Sequence, residues 1–359
     1  VSKILLPKKV SVLLLSTASS RDDIPVIVSF LDDMLNITHA EKWFCYHLSL
    51  NCTKKYLLFT FIRFIMLLSK KLKFALVGVF SLLTSMSFAS TVDSLDVPSA
   101  VMNKTYKAAV VLPNSYAKNK SSYPVLYLLH GGGGHFRDWL TSTPDKMLVK
   151  NLADQYNMII VMPEGETFGW YLDSPYDATN KFETYITKEV IQKIDNTYRT
   201  VKDKKGRVIT GLSMGGHGAM YLSARHPELF AAAGTMSGAM DMNYTKFKIN
   251  EAFTQSLKDR FQKLLGTADV NQEVFFKNSV VNMAETIKAN NLPVTIDCGV
   301  DDFLIEVNRE LHRRLVYNGT PHDYTERPGA HTWEYWQNSL PYHVLFFHKV
   351  LKTNGVTVE

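Results

Sequence analysis

The sequence predicts an α/β architecture in which a mostly parallel central sheet is covered by helices on both faces. Three observations predict it. Continuous apolar runs of strand length recur at 124–129 and 158–162, as expected of strands buried on both faces, and a further strand pattern lies at 294–299. Segments with helical spacing alternate with them, the order that produces parallel pairing through crossover connections. The 359 residues, 46% hydrophobic, suffice for one full core of about 250 residues plus extra segments.

Residues 1–65 mix short apolar runs with scattered charges and read as an upstream extension rather than a domain. Met66 is followed by Lys70, Lys71 and Lys73, then by the apolar run 74–83 and the small-x-small ending Ser87-Phe88-Ala89. That order of basic, apolar and small residues is the pattern of a secretory signal peptide. Met66 is therefore expected to be the start, 66–89 the signal, and the protein exported to a periplasm or beyond. The competing reading is a membrane anchor made from 56–68 and 74–89, but the three lysines interrupt any continuous span. Membrane contact is expected only through the export signal.

The main domain is expected over 95–352. Tyr106 to Leu112 reads as an early strand, turned by Pro113-Asn114-Ser115 and followed by a polar loop. Pro124 to Leu129 is a strand that runs into His130-Gly131-Gly132-Gly133-Gly134. A helix is expected from Asp138 to Ala153 and a strand from Met158 to Met162. Phe168-Gly169-Trp170-Tyr171 then follows a strand end, where α/β proteins place ligands. Ile186, Val190, Ile191 and Ile194 lie near a 3.6-residue period, which predicts a helix over 184–198. A strand ends at Gly211, a helix spans 215–225 and stops before Pro227, and a strand covers 229–236. Residues 240–290 read as helix-rich and polar, fitting a cap or insertion. A late strand at 294–299 delivers Val300-Asp301-Asp302. A helix from about Phe303 to Val316, a short strand at 324–327 and the loop Pro328-Gly329-Ala330-His331 come next, and the last helix covers 333–351.

Composition excludes several classes of function. The formal charge of +6 is modest, and no long basic block interleaved with aromatics follows residue 90, so no nucleic-acid partner is expected. Of Cys45, Cys52 and Cys298, only the last lies in the expected mature chain. A disulfide within the domain and a cysteine-based metal site are thereby excluded there. No metal or organic cofactor is expected.

The chemistry concentrates at Gly211-Leu212-Ser213-Met214-Gly215. An apolar β-branched run arrives at Gly211 and a small-residue run leaves from Gly215, the strand-to-helix context that G-x-S-x-G requires. In such a turn the serine is strained and exposed, the glycines admit neighbouring backbone, and the helix N-terminus faces developing negative charge. The Met214 N–H is then one oxyanion donor. The glycines after His130 supply a second, with Gly132 favoured and Gly131 or Gly133 possible; no Lys follows to make a phosphate loop. His130 precedes the serine and reads as structural. An acid and a histidine follow Ser213 in the order Ser, Asp, His: Asp301 or Asp302, then His331. His331 would take the serine proton and the acid would hold the imidazole tautomer. His217, His226, His312, His322, His343 and His348 read as surface or packing residues. Trp139, Trp170, Trp333 and Trp336 adjoin these motifs, and Trp170, Gly131 and Trp333 are candidate substrate contacts.

The four segments 127–131, 211–216, 299–303 and 328–333, taken in order, resemble the esterase family that contains esterase D (S-formylglutathione hydrolase), tributyrin esterases, the feruloyl and acetyl xylan esterases of carbohydrate esterase family 1, and the antigen 85 mycolyltransferases. The resemblance covers about residues 95–352. It implies an α/β-hydrolase fold, a Ser213–Asp302–His331 triad, and an oxyanion hole from Met214 and Gly132. Several relatives carry a larger side chain at the position of Gly132, which would leave a wider pocket here. The expected substrate is a small-molecule or polysaccharide ester, hydrolysed through an acyl-enzyme. The alternatives are an S-formylglutathione hydrolase-like thioesterase, an acyltransferase and a non-catalytic carbohydrate-binding protein.

Overall fold

The computed structural model describes residues 91–358. The extension over 1–65, the signal at 66–89 and the competing anchor lie outside the described residues. Eight strands form one sheet in the order β1-β2-β4-β3-β5-β6-β7-β8. They are β1 (Thr91–Ser99), β2 (Lys104–Leu112), β3 (Val125–Leu129), β4 (Ile159–Pro163), β5 (Arg207–Gly211), β6 (Ala232–Met236), β7 (Val294–Gly299) and β8 (Asp323–Arg327). β1 pairs antiparallel with β2, and β2 with β4. Every pair from β4 through β8 is parallel. Strands β3 to β7 are buried along their whole length, which accounts for the continuous apolar runs of β3 and β4.

Helices cover both faces: α1 (Asp138–Thr141), α2 (Leu148–Tyr156), α3 (Phe182–Thr184), α4 (Ile191–Thr197), α5 (Met214–Arg225), α6 (Glu251–Leu265), α7 (Gln272–Asn278), α8 (Ala284–Ala289), α9 (Ile305–Tyr317) and α10 (Trp333–Thr353). One core, on the α5 side, gathers Val125, Tyr127 and Ile209 with Met220 and Phe261. The other, on the α10 side, gathers Leu126, Leu128 and Val208 with Val344 and Phe347. The alternation of side chains along β3 (125, 127, 129 against 126, 128) sends each set to its own layer.

Four expectations need correction. The helix predicted over 138–153 is two helices, α1 and α2, with a break that contains Pro144. Proline has no N–H to donate and disfavours helical backbone in the residue before it, which favours a break at this point, although the longer α10 does continue through Pro341. The strand predicted from Leu229 begins only at Ala232. The helix over 184–198 begins earlier, at Phe182, and contains a π-helical segment, Tyr185–Val190, between α3 and α4. β1 was not anticipated as a strand. It is an edge with only Val97 and Ser99 buried, so its sequence carries little apolar signal.

Glu183 ties α3 to the end of α5. Its carboxylate accepts from Tyr221 Oη at 3.0 Å, Arg225 Nε at 2.8 Å and His226 Nε2 at 2.8 Å. Burial alone would push this carboxyl up, but the bonds from His226 and Arg225 overcome it and hold it down at about 2. A folded value below the ordinary 4.5 means that the stabilisation is complete above 4.5 and is lost as pH falls toward 2. Glu183→Gln is therefore expected to destabilise the protein at neutral pH by on the order of 3 kcal/mol. Urea titrations should show the gap from wild type closing as pH falls through that window; a gap independent of pH would contradict the assignment.

Candidate active site

The site sits at the carboxyl ends of β3, β5, β7 and β8. Ser213 lies between β5 and α5 with φ 54° and ψ −117°, a left-handed conformation that costs a non-glycine residue on the order of 1–3 kcal/mol. The surroundings hold it there. Ser213 N–H donates to Met236 O at 2.9 Å, Gly215 N–H to Leu212 O at 2.7 Å and His217 N–H to Ser213 O at 3.1 Å. A Cβ on Gly211 would lie 2.6 Å from the Gly215 carbonyl carbon, and one on Gly215 would lie 2.5 Å from His130 O. The atoms in the way are backbone and cannot swing aside. Gly215→Ala is expected to cost about 3 kcal/mol, read as a lower urea midpoint; an unchanged midpoint would show that the turn is not this tightly packed.

Ser213 Oγ lies 2.9 Å from His331 Nε2, and His331 Nδ1 lies 2.8 Å from Asp302 Oδ2. The second Asp302 oxygen accepts from Leu304 N–H at 2.8 Å, and the residue is 1% exposed. Asp301 is exposed and its N–H donates to Gly329 O at 3.0 Å. Of the two adjacent aspartates, the structure brings Asp302 to the imidazole. The ring is gripped from both sides: Phe303 at 4.4 Å and Trp336, edge-on, at 4.8 Å between centroids. The loop carrying His331 is braced from below. Tyr335 Oη donates to Asp297 Oδ1 at 2.5 Å, Arg327 pairs with Asp297 Oδ2, and the Asp301 bond ties down Gly329.

Met214 is the first residue of α5, so its N–H has no carbonyl four residues back within the helix. Gly132 faces it: a Cβ built on Gly132 would lie 3.9 Å from Met214 Cβ and 3.0 Å from Phe168 Cε1. Gly131 passes over the turn, where a Cβ would lie 3.4 Å from Ser213 Cβ and 2.5 Å from Leu212 Cδ1. Gly133 N–H is already engaged with Thr167 O at 2.7 Å. Behind the loop, His130 is 1% exposed, and its Nε2 accepts from Gly165 N–H at 2.9 Å. The arrangement places the His331 imidazole to take a proton from Ser213, beside the N-terminus of α5 and the glycine loop.

The tryptophans fall differently from expectation. Trp170 is 4% exposed, packed against Phe261 at 4.8 Å and His217 at 5.7 Å. It is a core residue, and Phe168 takes the place beside the glycine loop. Trp333 is half-buried and one ring removed from the imidazole, packing against Trp139 and Trp336 at 5.4 and 5.3 Å. His217 and His343 are buried packing residues, pushed down by burial to about 4 and about 3.

The 240–290 region is less polar inside than its composition implied, burying Leu257, Phe261 and Leu265. Its helix α6 touches both flanks of the site. Phe253 lies 6.0 Å from Phe303, which packs on His331. Arg260 lies 3.4 Å from the ring centre of Phe168, which abuts Gly132. Seven residues are two helical turns, so these side chains share a face about 10 Å apart. The i, i+7 relation was available in the sequence, but nothing there said which face looked at the serine. Among the described residues, no group of three or more His, Cys, Asp or Glu is placed to hold a metal ion, and no helix is long and apolar enough to cross a membrane.

The parallel sheet with its strained serine turn between β5 and α5 is that of an α/β-hydrolase fold. The family model described as "Putative esterase" matches residues 99–347, and the chain belongs to this family of carboxylic ester hydrolases. An acetyl esterase of Caldicellulosiruptor saccharolyticus is 26% identical over 223 residues, 60% of this chain and 79% of that protein. An esterase of Mycobacterium tuberculosis is 37% identical over 131 residues, 36% of this chain but only 28% of that longer protein. Among solved structures, a ferulic acid esterase superposes with a TM-score of 0.61 at 30% identity, covering 74% of this chain and 100% of the other. An S-formylglutathione hydrolase from Agrobacterium tumefaciens shares the fold, with a TM-score of 0.60 at 19% identity, covering 74% of this chain and 98% of the other.

Proposed function

We propose that the protein is an exported serine carboxylesterase that cleaves acetyl or feruloyl esters carried on polysaccharide, with simple short-chain esters also accepted. The observation that carries this reading is the unbroken chain from Ser213 Oγ through the His331 imidazole to the Asp302 carboxylate. His331 Nε2 takes the hydroxyl proton as Ser213 Oγ attacks the ester carbonyl carbon. Negative charge gathers on the carbonyl oxygen between Met214 N–H and Gly132 N–H. As the tetrahedral centre collapses, the imidazolium gives its proton to the departing alcohol and an acyl-serine remains. Water repeats the sequence, with the same proton acceptor, and releases the acid. Asp302 keeps Nδ1 protonated throughout, so that Nε2 is the basic nitrogen.

The substrate class is supported by the acetyl esterase and ferulic acid esterase relatives, and export by the residue order at 66–89. The test is release of acetate from acetylated xylan and of ferulate from methyl ferulate, beside p-nitrophenyl acetate, butyrate and octanoate. Release from xylan or ferulate supports the proposal. Turnover of the small esters alone would remove the polysaccharide part, and acyl transfer to an added sugar in preference to water would replace hydrolysis with acyltransfer.

A further inference from the structure

Beside the oxyanion loop lies a cleft of about 570 Å³ that the ester chemistry itself does not use. Its inner wall is Phe168, the ring that abuts Gly132. Its charged lining is Lys104, Glu166, Asp177, Arg260 and Lys263. Lys104 and Glu166 pair with each other. Asp177 is occupied locally, its Oδ1 accepting from Thr179 N–H at 2.8 Å and Thr179 Oγ1 at 2.6 Å. Arg260 and Lys263 have no carboxylate partner among the described residues: Arg260 donates only to Ser256 Oγ, at 3.2 Å, and lies over Phe168. The two stand three residues apart on α6 and so project from one face. The cleft therefore carries three cations against two carboxylates, a net excess of one positive charge, and Arg260 and Lys263 are the cations in no ion pair, with Asn103 and Thr179 as neutral hydrogen-bonding groups beside them.

We infer that this cleft is a subsite for the carboxylate of an acidic sugar chain, so that the preferred substrate is an acetyl ester on a uronate-bearing polysaccharide. The inference rests on the esterase reading above. With an acetyl ester the acyl half is two carbons long, so only the alcohol half can extend past Phe168 into the cleft. A neutral glycan would leave the excess positive charge of the cleft unmatched. A uronate one or more sugars away from the esterified one supplies the counter-charge, and Arg260 offers the planar fork that matches a carboxylate.

The experiment compares kcat/KM on acetylated glucuronoxylan with that on the same polymer after reduction of its carboxyl groups to alcohols. Wild type is expected to prefer the acidic polymer by about tenfold, carried in KM, and the preference should fall as ionic strength rises. In Arg260→Gln/Lys263→Gln the ratio should fall to about one. Lys349→Gln, at the opposite end of the sheet, should keep the wild-type ratio. A wild-type ratio near one, or a ratio unaltered in the double variant, would overturn the subsite. Ser213-independent turnover of p-nitrophenyl acetate is a separate result, and would overturn the esterase reading and the subsite together.

Discussion

Ser213→Ala is expected to lower kcat/KM on p-nitrophenyl acetate by a factor on the order of 10⁶ while leaving the protein folded. The change removes the only atom placed to attack: Oγ stands 2.9 Å from the His331 nitrogen that would take its proton. The proposed oxyanion donors, Met214 N–H and Gly132 N–H, are untouched by the change, so a residual rate above that of water is expected from them alone. Stability should not fall, because Ser213 holds its strained backbone through main-chain bonds to Met236 and His217, none of which involves the hydroxyl. The informative pairing is therefore activity against urea midpoint. A variant retaining more than a few per cent of wild-type activity would remove Ser213 as the nucleophile, and with it the acyl-enzyme.

Asp302→Asn is expected to cost about 10⁴ in kcat for a reason the hydrogen bonds define. One carboxylate oxygen accepts from Leu304 N–H and the other faces His331 Nδ1. In asparagine the carbonyl must stay on the Leu304 N–H, which turns the amide NH₂ toward Nδ1. The imidazole then has to accept at Nδ1 and carry its proton on Nε2. That tautomer cannot remove a proton from Ser213. Asp301→Asn is expected to stay within about twofold of wild type, since its side chain is exposed. Comparable losses from both substitutions would mean that the loop, rather than one carboxylate, is what matters.

Much of the site was legible because its chemistry is local in the chain. The G-x-S-x-G turn needs a strand before it and a helix after it within a dozen residues, and both show as changes of pattern around Ser213. The glycine loop beside the serine turn was legible for the same reason, since it follows directly on the buried strand β3. Periodicity exposed the buried strands but overlooked β1, whose outward residues are polar. It also ran the helix over 138–153 through Pro144, where the chain instead breaks into α1 and α2.

The choice between Asp301 and Asp302 shows where local reasoning ends. Both carboxylates follow β7 at the same height, and the residues alone left either open. Gly329 fastens the Asp301 backbone while the Leu304 N–H turns the Asp302 side chain inward, and both partners come from outside the strand. The tryptophans are a second case. Proximity in sequence put Trp170 and Trp333 at the ligand, but α6 buries the first and Trp336 stands between the second and the imidazole.

By itself, then, the sequence determined the layered sheet, the strained serine, the glycine loop and the histidine that follows, because apolar periodicity, backbone sterics and strand-to-helix order act over short stretches. Only the tertiary structure decided which carboxylate meets the imidazole, which rings grip it, and that Phe253 and Arg260 of one helix reach opposite flanks of the site. The meetings of Asp302 and Phe303 with His331, of Phe253 with Phe303 and of Arg260 with Phe168 join residues far apart in the chain, and packing between separate elements sets which of these side chains meet.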